Sequence, residues 1–345
     1  MLERDKKPKK FPTTKFFKSS RSKRGFSEKF FPERPRSFWL KASTLAMAQI
    51  DAAPKVGMPN ASNPAYVSWL KKESMLSDAN RLSAQYSGKG RMWQNPYAKP
   101  RPRTAIKMAP VWYTAYPIST ITKPKQSIIS ALGDEQLWKH FTDIGIRAIH
   151  TGPVKRGGGI NGWHQTPSID GHFDRISSRI DPMFGTESEF QRMSYTARKN
   201  GGIVIDDIVP GHTGKGADFL LACMSYRDYP GIYQMVEINP YDWSALPDVP
   251  EGKDSVNLSP AEEDELKKRG YIIGKLQRII FYEPGVKETN WSVTKPIRGI
   301  DNVKRRWVYL HYFKEGQPSI NWLDPSFAGM KLVVGDALHS IGHLG

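Results

Sequence analysis

The segment GGIVIDDIVPGHTGKG, residues 201–216, places two adjacent carboxylates, Asp206 and Asp207, just ahead of a histidine, His212. Carboxylates can serve as general acid, general base or nucleophile, and a histidine can move a proton or hydrogen-bond a substrate hydroxyl. The apolar run before Asp206 reads as a short buried strand, and Pro210-Gly211 breaks the chain after it. Groups just past a strand end sit where parallel α/β proteins gather their functional side chains. The same residues also fit a plainer reading, in which Asp207 pairs with a nearby Lys or Arg and His212 is a loop residue.

Other candidate chemistry is weaker. Gly157, Gly159 and Gly162 in KRGGGINGW meet the spacing G-x-G-x-x-G, but a dinucleotide fingerprint also needs a helix to open at once. WHQTPSIDG follows, with Pro167 and no helical period, so a flexible loop is expected. GHTGKG lacks the first glycine of a phosphate loop and the Ser/Thr after Lys215. His164, His172 and His212 could be offered as metal ligands, yet no second ligand sits one helical turn away. A polar loop rim is expected instead, and no metal site.

The elements that must position these groups alternate. VWYTAYPI (111–118) and IRAIHTGPV (146–154) read as strands. Between them ISALGDEQLWKHFTDIG has helical spacing ending at Gly145. FGTESEFQRMSYTARKNGG starts a helix at Thr186 and ends it near Lys199 and Gly201, before the strand IVIDDIV. Strand, helix, strand, helix, strand predicts a parallel sheet, with strands apolar on both faces. The pattern allows an open doubly wound sheet or a closed barrel. After His212 the alternation stops for about a hundred residues, too long and too patterned for a loop. PAEEDELKKRG, YIIGKLQRIIFYEPG, TNWSVTK and RRWVYLHYF predict a β-rich insertion with one polar helix. A helix resumes near Asp324.

The net charge of +17 suggests nucleic acid until it is located. Residues 1–46 hold 14 Lys+Arg against 4 Asp+Glu, which is +10 of the total. This Pro-punctuated tail is expected to be disordered. It could bind phosphates, or act as a targeting segment with Ala46-Met47-Ala48 as a cleavage site. The favoured reading is an upstream extension with the natural start at Met47. Residues 47–110 form a polar lead-in with a helix around Ser74–Gln85 and a loop through NPYAKPRPR. No nucleic-acid or membrane partner is expected, since the excess charge is confined to the tail and no apolar run reaches the roughly 18 residues a membrane helix needs. A single cysteine, Cys223, suits a reducing, cytoplasmic compartment.

Several segments, taken in order between residues 108 and 345, resemble the α-amylase family of glycoside hydrolases and transglycosylases. VWYTAYPI looks like that family's first strand, and GIRAIHTGPV its second, G-x-x-A-I-x-x-x-P. IDPMFGTESEF is similar to I-D-P-x-F-G-T-x-x-D-F, and DIVPGH to D-x-V-x-N-H. YLHYFKEGQPSINWLDPSF resembles W-x-L-H-x-F…Q-P-D-L-N-W-x-N-P-x-V. PGHTGKGADF looks closest to the trehalose synthase or maltose glucosyltransferase branch.

The resemblance implies a partial (β/α)8 TIM barrel, about the first three βα units over 111–212. An inserted β-rich domain B would span 213–318, and barrel helix three 319–345. It implies an α-glucosidic oligosaccharide or disaccharide as substrate, maltose or trehalose for example, and retaining chemistry with carboxylates as nucleophile, acid/base and transition-state stabiliser. His212 would hydrogen-bond the sugar, Asp207 would brace the strand end, and Gln317 and Asn321 would join the substrate-binding set. His172 and Asp174 fall near the family's Gly-Tyr-Asp platform, one position out of register and without its tyrosine. Gly211 replaces a calcium-binding asparagine and Ser319 an aspartate, so no cofactor is expected. No G-x-R-x-D follows the insertion, and the expectation is that all three catalytic carboxylates lie beyond residue 345. The chain is then expected to be a truncated, inactive piece, with a half-barrel sugar-binding or interaction module as the alternative.

Overall fold

The computed structural model describes residues 63–86, 102–117, 120–168, 172–272, 290–311 and 313–344. The basic tail, the 46–48 segment, Met47 and most of YIIGKLQRIIFYEPG lie outside them.

Two helices come first, α1 (Pro64–Glu73) and α2 (Met75–Tyr86). Asn63 caps α1 by accepting from the Ala65 and Tyr66 amides, and Pro64 supplies a preset first turn. Between them Ser74 is extended, and the cap of α2 comes from far away in sequence. The buried Asp218 carboxylate accepts from the Met75 and Leu76 amides at 2.8 and 3.0 Å and from the Ser74 hydroxyl at 2.8 Å. After a short helix α3 (Pro102–Met108) the chain enters β1 (Trp112–Thr114). The single helix expected before the second strand is two, α4 (Ile128–Leu132) and α5 (Glu135–Asp143). Gly133 closes the first and Asp134 caps the second, accepting from the Leu137 amide at 2.9 Å.

Strand β2 (Ala148–His150) pairs in parallel with β1, and with β6 (Ile203–Ile205) on its other side. The intervening helix α6 (Glu187–Lys199) begins on a full capping box, with Thr186 and Glu189 satisfying each other's backbone amides. Trp138, Ile149, Phe184, Phe190 and Met193 form the core between this sheet and its helices. Burial of the strands differs from the expectation of apolar cover on both faces: β2 is buried, but Trp112 and Tyr113 of β1 are 55% and 45% exposed. Strands β1 and β6 are the sheet's edges, and an edge strand has a neighbour on one side only.

The segment expected to be a flexible glycine loop is instead strand β3 (Lys155–Asn161). It lies between β4 (His164–Pro167) and β5 (Arg175–Ile180) in an antiparallel sheet of three. Glycine suits this strand because its neighbours approach closely. A Cβ on Gly158 would stand 2.0 Å from the Thr166 carbonyl oxygen, and its φ is +118°.

Beyond His212 come α7 (Ala217–Cys223), β7 (Met235–Ile238), β8 (Ser255–Asn257), α8 (Pro260–Lys268), β9 (Asn290–Thr294), β10 (Ile297–Arg298) and β11 (Lys304–His311). All five strands join one antiparallel sheet around β11, and Ile238, Leu266, Val293 and Val308 pack beneath it. Helix α9 (Ala328–Leu344) closes the described chain. A third core joins Leu70 and Leu76 to Phe219, Leu221, Tyr309 and Leu332, so the first two helices pack with α7, β11 and α9. Among the described residues no helix is long and apolar enough to cross a membrane.

Candidate functional site: a buried polar wall at the strand ends

In the parallel register His150 is opposite Ile205, so the ends of β2 and β6 are level. His150 and Asp207 therefore meet, with His150 Nε2 and Asp207 Oδ1 2.8 Å apart and both side chains partly exposed. The Asp207 carbonyl accepts from Arg175 Nη2 at 3.0 Å. Pro210 and Gly211 then turn the chain, and His212 forms an antiparallel bridge with Ser319.

His212 is 5% exposed, and the Phe313 ring meets it edge-on at 5.5 Å between centroids. Burial pushes its pKa down to about 4, against the opposing pull of a Thr213 backbone hydrogen bond and the Asp174 carboxylate. The imidazole is neutral at pH 7. Its Nδ1 has no hydrogen-bond partner, and the same holds for Ser319 Oγ and for Oε1 of Gln317, two residues earlier. Three buried polar atoms on two bridged segments thus lack a hydrogen-bond partner among the described residues.

Asp174 accepts from the Ser168 hydroxyl, while its carbonyl accepts from the Gly158 amide at 2.8 Å. Gly214, two residues after His212, donates to the Arg175 carbonyl at 2.8 Å, which draws Asp174 and His212 to the same wall. His172 belongs elsewhere. It is buried rather than on a loop rim, at φ +69°, with Nε2 2.9 Å from Asp181 Oδ2 and its ring against Phe184 at 4.7 Å. Burial works to raise the Asp181 carboxyl, but hydrogen bonds from His172 and the Met183 amide hold it below its usual range. Asn321 spends its side chain locally, accepting from the Leu323 amide at 3.1 Å. The wall accordingly gathers Asp207, His212, Asp174 and Gln317, while His172 turns to Asp181 and Asn321 Oδ1 to the Leu323 amide.

Asp206 is not a solvent-facing acid. Its side chain is 1% exposed, 3.7 Å from the equally buried Lys155 ammonium, and it accepts from the Ser340 hydroxyl at 2.6 Å. Lys155 donates to Asp336 Oδ1 at 2.9 Å, and Arg175 Nη1 to Asp336 Oδ2 at 2.5 Å. Burial would raise the Asp336 carboxyl, but Arg175 and Lys155 outweigh it and hold it low. Two cations and two carboxylates thereby neutralise one another under α9. Sequence reasoning missed this group and the His150 partner. The available signals were a lone acid in the apolar run LVVGDALHS and the histidine ending IRAIH. Among the described residues no cluster of three or more His, Cys, Asp or Glu is placed to hold a metal.

No protein-family profile matches the chain. Maltase 1 of Drosophila virilis is 24% identical over 218 residues, covering 63% of this chain and 27% of the maltase. A trehalose-6-phosphate hydrolase from Bacillus licheniformis aligns over 69% of this chain and 34% of its own, at 17% identity and a TM-score of 0.41. An isomaltulose synthase from Erwinia rhapontici aligns over 66% and 32%, at 19% identity and a TM-score of 0.39. TM-scores this low do not carry those enzymes' architecture over to this chain. The chain spans about a quarter of the maltase and about a third of the two synthase and hydrolase structures. With the ordered motifs, the maltase match bears out the resemblance to the α-amylase family of glycosidases and transglycosylases.

Proposed function

We propose that this chain supplies a sugar-binding wall of an α-glucosidase or transglucosidase, and that the 345-residue chain binds α-glucosides such as maltose or trehalose without cleaving them. The observation that carries the proposal is the set of unpartnered, buried polar atoms on His212, Gln317 and Ser319. A neutral imidazole, an amide and a hydroxyl suit the hydroxyls of a neutral sugar, whereas a charged site would suit an ion. The parallel sheet is read as the start of a (β/α)8 barrel and the five-stranded sheet as its inserted domain.

Absence of cleavage rests on the carboxylates of this wall, Asp207 and Asp174, and on Asp206 buried beside it. Retaining hydrolysis needs two of them about 5–5.5 Å apart, one protonated and one free to attack. Here Asp207 is held by His150, Asp174 by Ser168, and Asp206 by Lys155 and Ser340. Calorimetry with maltose and trehalose tests the binding: saturable heat is expected, and His212→Ala should abolish it. Release of nitrophenol from a nitrophenyl α-glucoside by the pure chain would sink the claim of binding without cleavage.

A further inference from the structure

A cavity of about 800 Å³ lies between the β3–β4 hairpin, the β8–β10 part of the antiparallel sheet and the loop at 314–316, with Lys215 of the GHTGKG segment and Asp174 in its lining. Tyr66, Phe219, Leu220 and Met224 give it an apolar floor. Lys215 spans its walls. The ammonium donates to Asp254 Oδ1 at 2.9 Å, Ser255 Oγ at 2.6 Å and Glu315 Oε1 at 3.2 Å, and lies 5.5 Å from the Tyr309 ring centre. All its donors are used, and its single charge is shared between the two acids it touches.

The remaining charge is one-sided. Five cations line the cavity, Lys215, Lys253, Lys295, Arg298 and Lys314, against three acids, Asp174, Asp254 and Glu315, an excess of two positive charges. Lys253 and Lys295 stand on adjacent segments, joined where the Lys295 amide donates to the Asp254 carbonyl at 2.9 Å. Among the described residues neither forms an ion pair, and Arg298 donates only to the Asn302 carbonyl. Lys253 before β8, Lys295 after β9 and Arg298 on β10, above an apolar, aromatic floor, fit a ligand with a compact dianion at one end and a ring at the other.

We propose that this cavity, which borders the sugar wall at Asp174 but is not lined by His212, Gln317 or Ser319, is a second ligand site for a phosphate monoester carried on a ring. Near neutral pH such an ester approaches two negative charges, which matches the excess at the rim. A carboxylate would supply only one. The ring would cover Tyr66 and Phe219, where a free inorganic phosphate has nothing to place.

Calorimetry on the full chain at low salt tests this with glucose 6-phosphate, adenosine monophosphate, glucose, glucuronate and inorganic phosphate. At least one monoester is expected to bind about tenfold or more tighter than inorganic phosphate, glucose or glucuronate, and the tighter monoester identifies the kind of ring. Lys295→Ala and Arg298→Ala should each weaken binding about fivefold or more, and raising salt from about 50 to about 200 mM should weaken it further. Both side chains are exposed, so unchanged thermal unfolding separates lost binding from lost fold. Inorganic phosphate or glucuronate binding as tightly as the esters, or esters indifferent to both substitutions, would overturn the proposal. His212→Ala should leave ester binding intact. If maltose fails to bind while the ester binds, only the sugar wall is wrong, and the converse sinks only this site.

Discussion

His212 illustrates how burial sets the chemistry of one side chain. An imidazole at the protein surface is half charged near pH 6.5, but here desolvation keeps it neutral down to about pH 4. Between those values the unfolded chain binds the proton more readily than the folded one. Stability from this site is therefore full above pH 6.5 and is lost as pH falls toward 4, by at most about 3 kcal/mol. Urea unfolding at about pH 7 and about pH 4.5 should show that loss in the native protein and a smaller one in His212→Gln. Equal losses in the two proteins would contradict the neutral assignment. The His150–Asp207 pair is a different case, since both groups remain partly in water and their contact is worth far less than a buried one.

At the scale of the element, the glycine strand is the instructive one. Three consecutive glycines offer no side chains to pack and no period to read, so KRGGGIN looks like a loop in isolation. Its strand conformation comes from pairing with β4 and β5, and those neighbours lie too close for a side chain at Gly158. Gly158→Ala should lower unfolding stability by about 2–4 kcal/mol, combining a strained positive φ with a backbone clash. Gly201→Ala, also at positive φ but with open space around it, should cost only about 1 kcal/mol. Thermal melts that rank the two substitutions the other way would refute the close-approach account. By contrast α6 and α8 could be read directly. In each, a Ser or Thr with a Glu three residues later forms the cap.

For the molecule as a whole, the buried group under α9 is a polar link between layers. It joins β3, β5, the end of β6 and α9 through four charges that are each almost fully dry. Such a set adds little net stability but is costly to break, because a lone buried charge has no water to fall back on. Asp336→Ala leaves Lys155 and Arg175 facing Asp206 alone and should destabilise by about 3–5 kcal/mol. Adding Lys155→Met should restore part of that loss. A single substitution that costs no more than a surface change would mean that α9 is not held this way. Apolar packing supplies the other link, with Leu70 fully buried in the core it shares with α7 and α9.

The sequence by itself determined what acts over a few residues. The three parallel strands, the capped helices, the polar helix at 260–268 and the strand end carrying Asp207 and His212 all follow from period, capping and chain breaks. Those signals are local, so they survive without knowledge of the fold. Tertiary structure decided the partners. His150 and Asp207 are 57 positions apart, and Lys155 and Asp336 are 181 apart. Asp206 and Asp207 look alike in the chain, yet one is buried among cations and the other meets a histidine near the surface. Alternation along a strand sends neighbouring side chains to opposite faces, and what waits on each face is set by segments that arrive from elsewhere.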